Sequence, residues 1–178
     1  MKVAFLDRDG TLNVDHGYVH KPVDVQLIPG AKEALHRLVE KNYKLILVTN
    51  QSGIGRGFFQ ERHLHETNDR LQELLELNFL KIYFCPHHPQ AQVRSYRKVC
   101  SCRKPEPGMI LQAFEDFSQI DRSQSFMIGD SIRDIEAGIS AGLGRNILLS
   151  DNYCNDDSCF DVNRHNSQII ASWKDLSI

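Results

Sequence analysis

A doubly wound, parallel α/β sheet is the fold the sequence predicts, and two observations carry it. Short, mostly continuous apolar runs alternate with longer amphipathic stretches, as they do in successive βαβ units. Acidic, hydroxyl and basic residues follow these runs at their carboxyl ends, where ligands gather in sheets of this kind. The length of 178 residues suits one domain, 1–178, with a sizeable core.

The first run, at 3–6, is apolar throughout, as a strand covered on both faces should be. A helix follows at 31–41, with Ala34, Leu35, Leu38 and Val39 at helical spacing, and then a strand at 45–48. Leu64, Leu71, Leu74 and Leu75 give the next helix, 61–77, its apolar stripe ahead of a strand at 82–84. Pro107 suits the first turn of a helix at 107–117, and a strand at 126–128 comes next. Ser131 stands where it can cap a helix at 132–141. Strands at 146–149 and 168–171 complete the set. Two stretches break the alternation. Residues 86–104 carry prolines, polar residues and cysteines without an apolar period, so this long loop needs a substitute for a core. Residues 150–166 are polar and turn-rich, a surface excursion whose Cys154 and Cys159 have no motif partner and are taken as incidental thiols.

With 41% hydrophobic and 25% charged residues the chain has an ordinary globular composition, and a disordered chain is excluded. The net charge of −2 lacks the positive excess that binding to phosphate backbones requires, so no nucleic-acid partner is expected. The four apolar residues before Asp7 are too few for a signal peptide, and no run approaches a membrane span. The expectation is a cytoplasmic monomer without a membrane partner. Five cysteines in a reducing compartment point to metal ligation or free thiols before disulfides.

The first strand ends in Asp7-Arg8-Asp9-Gly10-Thr11. Two carboxylates two residues apart can place one side chain and one backbone carbonyl on the same cation, leaving the second carboxylate free for proton transfer. Ordinary turn chemistry is the alternative for this segment alone. The other strand ends shift the balance, with Thr49-Asn50 after the second, Arg103-Lys104-Pro105 after the long loop, and Gly129-Asp130 with Asp134 after the fourth. A hydroxyl, a cation and a second acidic pair beside the first are what metal-assisted phosphoryl transfer needs.

In these four segments, taken in order, the sequence resembles the haloacid dehalogenase superfamily of phosphatases. The resemblance implies that Asp7 is the nucleophile forming an aspartyl-phosphate, and that Asp9 is the acid and then the base. Thr49 and Lys104 would hold the transferred phosphoryl group. Catalytic Mg²⁺ would be bound by the Asp7 carboxylate, the Asp9 backbone carbonyl and the Asp130 carboxylate, with Asp134 as a buttress.

In the long loop, Cys85-Pro86-His87-His88 and Cys100-Ser101-Cys102 set C-x-H and C-x-C pairs that match a closed, structural tetrahedral Zn²⁺ site. Metal bonds can hold such a coreless loop. His88 could compete with His87, and the resemblance favours His87. The zinc loop, 85–104, together with DRDGTLNVDHGYV, TNQSGIGRG and VCSCRKPEPGM, is similar to the bacterial D-glycero-D-manno-heptose-1,7-bisphosphate 7-phosphatases along nearly the whole chain. The histidinol-phosphate phosphatases share the motifs with a shorter zinc loop; Cys85 and Cys100 are fifteen positions apart, which matches the heptose enzymes. A large cap domain has no room after the first motif. The resemblance further implies a small sugar bisphosphate as substrate, in the route to nucleotide-activated heptose for surface glycans. It assigns Asp15, His16, Gly17, Tyr18, Asn50, Gln51, Ser52 and Arg103 to substrate binding. Ser131 belongs to the same position set, but it stands where some heptose enzymes have a lysine, which removes a cationic contact to the distal phosphate. A catalytically inactive zinc-bearing binding module is the reading from another class, and the intact Asp7, Asp9, Thr49, Lys104 and Asp130 argue against it. The Gly53–Gly57 run lacks the Lys-Ser/Thr of a nucleotide loop and is read as backbone flexibility beside Thr49.

Overall fold

The computed structural model describes residues 1–150 and 166–177, so Cys154 and Cys159 lie outside the described residues. Strands β1 (Lys2–Leu6), β2 (Tyr43–Asn50), β3 (Lys81–Cys85), β4 (Phe126–Gly129), β5 (Arg145–Leu149) and β6 (Ser167–Ile170) form one parallel sheet in the order β3-β2-β1-β4-β5-β6. The order reverses between β1 and β4, which opens a crevice at their carboxyl ends. Asp7 and Asp9 follow β1, and Asp130 and Asp134 follow β4. The chain direction therefore brings the two acidic pairs, over 120 residues apart, to one place.

Alternate side chains of each central strand feed opposite faces of the sheet. Ala4, Leu6, Leu45 and Leu47 pack with α1 (Ala31–Glu40), α3 (Glu61–Leu75) and the buried Trp173. Val3, Phe5, Ile46 and Val48 pack on the other face with α4 (Gly108–Asp116) and α5 (Ile132–Ser140). Trp173 also donates its indole N–H to the Thr11 carbonyl at 2.8 Å, tying the end of the described chain to the turn after β1.

The predicted elements are present, with shifted ends. β2 extends two residues further than its apolar run, so Thr49 and Asn50 belong to the strand, pairing with Phe84 and Cys85 of β3. α3 stops at Leu75 because Glu76 turns into the left-handed region (φ 56°), short of the expected residue 77. Pro107 precedes α4 as its cap residue and does not occupy the first turn. Ser131 does cap α5: its side chain accepts from the Asp134 backbone, and its own N–H donates to the Asp134 carboxylate at 3.0 Å. Residues 86–107 form the expected long connection with a single 3₁₀ turn, Arg94–Tyr96. No helix among the described residues is long and apolar enough to cross a membrane.

Candidate active site

The crevice holds a cavity of about 470 Å³. At its floor the Lys104 ammonium, almost wholly buried, lies 2.8 Å from Asp7 Oδ1, 2.6 Å from Asp134 Oδ1 and 2.7 Å from the Val48 carbonyl. All three donors of the ammonium are thus used. Burial opposes the charge, but Asp134 and Asp7 more than offset it and the Lys104 pKa is raised. Asn50 holds the same lysine by its backbone, accepting from Lys104 N–H at 3.1 Å and donating to its carbonyl at 3.0 Å. Asn50 lines the cavity, but its amide is spent on placing Lys104.

Asp7, Asp130 and Asp134 can bring carboxylate oxygens within 4.8 Å of one another. Burial is the chief cause that raises Asp7 to about 7, opposed by Lys104 and reinforced by Asp134 and Asp130. Burial and then Asp134 raise Asp130 to about 6. Two carboxylates held at this cost are the donor set a hard divalent cation would relieve. Gly10 permits the arrangement: at φ +79° it needs no Cβ, and one there would fall 2.2 Å from Asp130 Oδ2. Asp134 gives one oxygen to Lys104 and the other to Ser131 N–H, which fits a buttress.

Asp9 lines the cavity with its carboxylate gripped from behind by Arg8, Asn13 and Gln51. Gln51 Nε2 is 2.9 Å from both Asp9 Oδ2 and Thr49 Oγ1, so the Thr49 hydroxyl accepts there and keeps its proton for another acceptor.

Asp15, Gly17, Tyr18, Ser52, Arg103 and Ser131 line the cavity as expected, whereas His16 is exposed and is not among the lining residues. The side chain of Asp15 accepts from Gly17 N–H at 2.8 Å, closing a turn across His16. Gly53 and Gly55 serve packing: a Cβ on Gly53 would meet Phe59 at 2.2 Å, and one on Gly55 would meet the Pro86 carbonyl at 2.5 Å, whereas Gly57 has room for a Cβ and takes a left-handed backbone at φ +78°. Sequence reasoning missed Arg56, His88 and Arg133, which join Arg103 in the cavity wall. His88 Nδ1 lies 3.1 Å from the Gln90 N–H and Nε2 3.1 Å from Arg56 Nη2; both neighbours are donors, so a neutral ring accepts from one of them, and its contacts are with Gln90 and Arg56. Arg133 Nε donates to Ser131 Oγ at 3.2 Å. The only signal for these residues was proximity to a motif.

Cys85, His87, Cys100 and Cys102 bring their ligand atoms within 4.8 Å of one another, with His87 Nδ1 3.2 Å from Cys102 Sγ. The contact between Cys85 and Cys102 pushes the Cys85 thiol up and pulls Cys102 down to about 5, chiefly through the sulfur–sulfur hydrogen bond. Three sulfurs and one imidazole clustered under a coreless loop fit a structural zinc centre.

A family model for haloacid dehalogenase-like hydrolases matches residues 17–142. The chain belongs to this family. A D-glycero-beta-D-manno-heptose-1,7-bisphosphate 7-phosphatase of Photorhabdus laumondii is 47% identical over 149 residues, 82% of this chain and 79% of that protein. One of Haemophilus ducreyi is 45% identical over 83% of this chain and 82% of its own. The solved D,D-heptose 1,7-bisphosphate phosphatase of B. bronchiseptica, complexed with magnesium and phosphate, superposes with a TM-score of 0.78 at 28% identity, covering 97% of this chain and 94% of that one.

Replacing Lys104 by Met would strand the Asp7 and Asp134 carboxylates in the protein interior. The expected loss of unfolding free energy is about 3 kcal/mol near pH 8. The loss should shrink at pH 5.5, because Asp7, raised to about 7 chiefly by burial, takes up a proton as pH falls and then needs no cation. Urea unfolding at both pH values checks this; a loss below about 1 kcal/mol, or one independent of pH, would remove Lys104 from its central place.

Proposed function

We propose that the chain is a Mg²⁺-dependent phosphatase that removes the 7-phosphate of D-glycero-D-manno-heptose 1,7-bisphosphate, the whole chain acting as one catalytic domain. The observation that carries this reading is the buried Lys104, which holds Asp7 beside Asp130 at the reversal point of the sheet while guanidinium groups occupy the same cavity wall. The names of the relatives supply the sugar.

An Asp7 carboxylate oxygen attacks phosphorus, forming an aspartyl-phosphate as the bond to the sugar oxygen breaks. Asp9 gives its proton to that leaving oxygen, then accepts one from the water that attacks the phosphorus and frees Asp7. The Thr49 hydroxyl donates to an oxygen of the transferred group, and Lys104 does the same by exchanging its bond to the Asp7 carboxylate for one to a phosphoryl oxygen. Mg²⁺, when bound, supplies the positive charge that lets a carboxylate meet a phosphate dianion; the Asp7 and Asp130 carboxylates and the Asp9 backbone carbonyl would hold it. Arg103, with Arg56 and Arg133 near it in the wall, suits the distal phosphate. The Ser131 hydroxyl brings no charge, but it accepts from Arg133, which restores a cation beside that position.

Phosphate release from both heptose bisphosphate anomers and from histidinol phosphate, in one panel, tests the reading. The expected outcome is kcat/KM at least about a hundredfold higher for a heptose bisphosphate, with activity abolished in Asp7→Asn. Preference for histidinol phosphate, or turnover surviving in Asp7→Asn, would overturn it.

Mg²⁺ affinity should fall with pH. Asp7 titrates at about 7 and Asp130 at about 6, so protons compete with the cation as pH drops through this range. Calorimetric titration should give a Kd at least about tenfold weaker at pH 5.5 than at pH 7.5. A flat profile would remove these carboxylates from the metal site. For the second metal, elemental analysis of protein never exposed to chelator should find about one Zn²⁺ per chain, and none in a Cys100→Ser, Cys102→Ser double variant. Wild-type protein free of zinc would refute the centre.

A further inference from the structure

Arg8 stands between the two acidic residues of the first motif, in a position that faces the interior of the fold. Its side chain is fully buried, an environment a guanidinium tolerates only when its donors are satisfied. Nε and Nη2 both donate to Asp9 Oδ1, at 3.1 and 2.9 Å, and Nη2 also reaches Asp9 Oδ2 at 2.9 Å. Nη2 further donates to the Val19 carbonyl at 2.7 Å, and Nη1 to Asn68 Oδ1 on α3 at 3.3 Å. Asn13 Nδ2 completes the cradle, 3.0 Å from Asp9 Oδ1 and 3.0 Å from the Val14 carbonyl. One buried cation thus fixes the Asp9 carboxylate, the inner end of the 14–19 turn whose residues Asp15, Gly17 and Tyr18 line the cavity, and a helix remote from the reacting atoms.

We infer that Arg8 is the positioning residue for acid–base catalysis: anchored on Asn68 and Val19, it holds the Asp9 carboxyl at the leaving-group oxygen. A carboxyl on two free side-chain torsions reaches that geometry only part of the time, while one held by a planar fork starts in it. Arg8 itself is not among the residues that line the cavity. This inference rests on the reading of Asp9 as the acid proposed above.

The role makes a distinctive demand on kinetics. In the first half-reaction the bond between phosphorus and the leaving oxygen breaks, and an alkoxide needs the Asp9 proton as it departs. A p-nitrophenolate is stable enough to leave without it. Because kcat/KM reports only the steps through departure of the leaving group, the later water attack does not enter. Three variants are compared with the wild type on a primary alkyl phosphate and on p-nitrophenyl phosphate, with thermal unfolding as a check of folding. Asp9→Asn calibrates the assay: it should lose at least about a hundredfold in kcat/KM on the alkyl ester and less than about tenfold on the aryl ester. Arg8→Lys, which keeps the charge and loses the fork, should show the same selectivity, at least about thirtyfold against less than about threefold. Asn68→Leu, in contact with Arg8 and not with Asp9, should show it in weaker form, about fivefold against no change, and it serves alone if Arg8→Lys does not fold. Equal losses on both esters in Arg8→Lys and Asn68→Leu, with Asp9→Asn selective, would overturn the inference and leave the reading of Asp9 intact. Equal losses in Asp9→Asn would overturn the reading itself.

Discussion

The arrangement depends on one ammonium group. Lys104 enters from a long loop, yet its charge is buried among a strand carbonyl and two carboxylates from opposite sides of the crevice. A buried amine is tolerated only where its partners are fixed, so each partner is secured in turn. Asp134 is locked by the capping box of α5, Val48 by the sheet, and the Lys104 peptide by Asn50. The sheet, a helix start and the loop therefore meet at a single nitrogen, and the site cannot loosen at one point without exposing an uncompensated charge at another.

The same accounting explains why the centre calls for a cation. Around the reacting position lie Asp7, Asp130 and Asp134 against the single charge of Lys104, while Arg8 offsets Asp9 whenever that acid–base residue is ionised. A phosphate dianion approaching this set meets these carboxylates, which burial first and Asp134 after it already hold above their ordinary range. The cationic wall of Arg56, Arg103 and Arg133 draws an anion into the cavity, but it is a different set of groups from those that would neutralise the transferred phosphoryl. Attraction and chemistry are thus carried by separate charges, an arrangement suited to a substrate with a phosphate at each end.

How far the site was legible in the sequence follows from the physics of each residue. Asp7, Asp9, Thr49 and Asp130 follow or end apolar runs, and the hydrophobic pattern places such positions whatever the details of packing, whereas Lys104 lies in a loop without an apolar period and was legible only through the family resemblance. The Cys and His set was legible because closely spaced thiols in a polar loop have little other use. Asn50 and Gln51 were placed at the cavity, but their polar ends turn to Lys104, Asp9 and Thr49, and a pattern along one chain does not contain such cross-chain hydrogen bonds. His16 sits between Asp15 and Gly17, which line the cavity, yet it is exposed and not among the lining residues. Arg8 was passed over because a charged residue in a turn normally faces solvent, and its burial depends on Val19 and on Asn68, sixty positions away.

The long loop shows how selectivity can be tied to catalysis through two neighbouring residues. Arg103 and Lys104 are neighbours in sequence, yet Lys104 belongs to the carboxylate cluster and Arg103 to the cationic wall, where Arg133 and Arg56 act on its charge. Two adjacent residues can serve such different surroundings only if the backbone between them is held firmly, since a free loop would cost about 1–2 kcal/mol per residue to order when substrate arrives. Asn50 restrains that backbone from the sheet side, and Cys102, one residue before Arg103, restrains it from the side of the sulfur cluster. A metal-braced loop would thus meet its ordering cost at folding rather than at binding. The distance between the group that recognises the far end of a substrate and the group that receives its phosphoryl end is then set before the substrate enters.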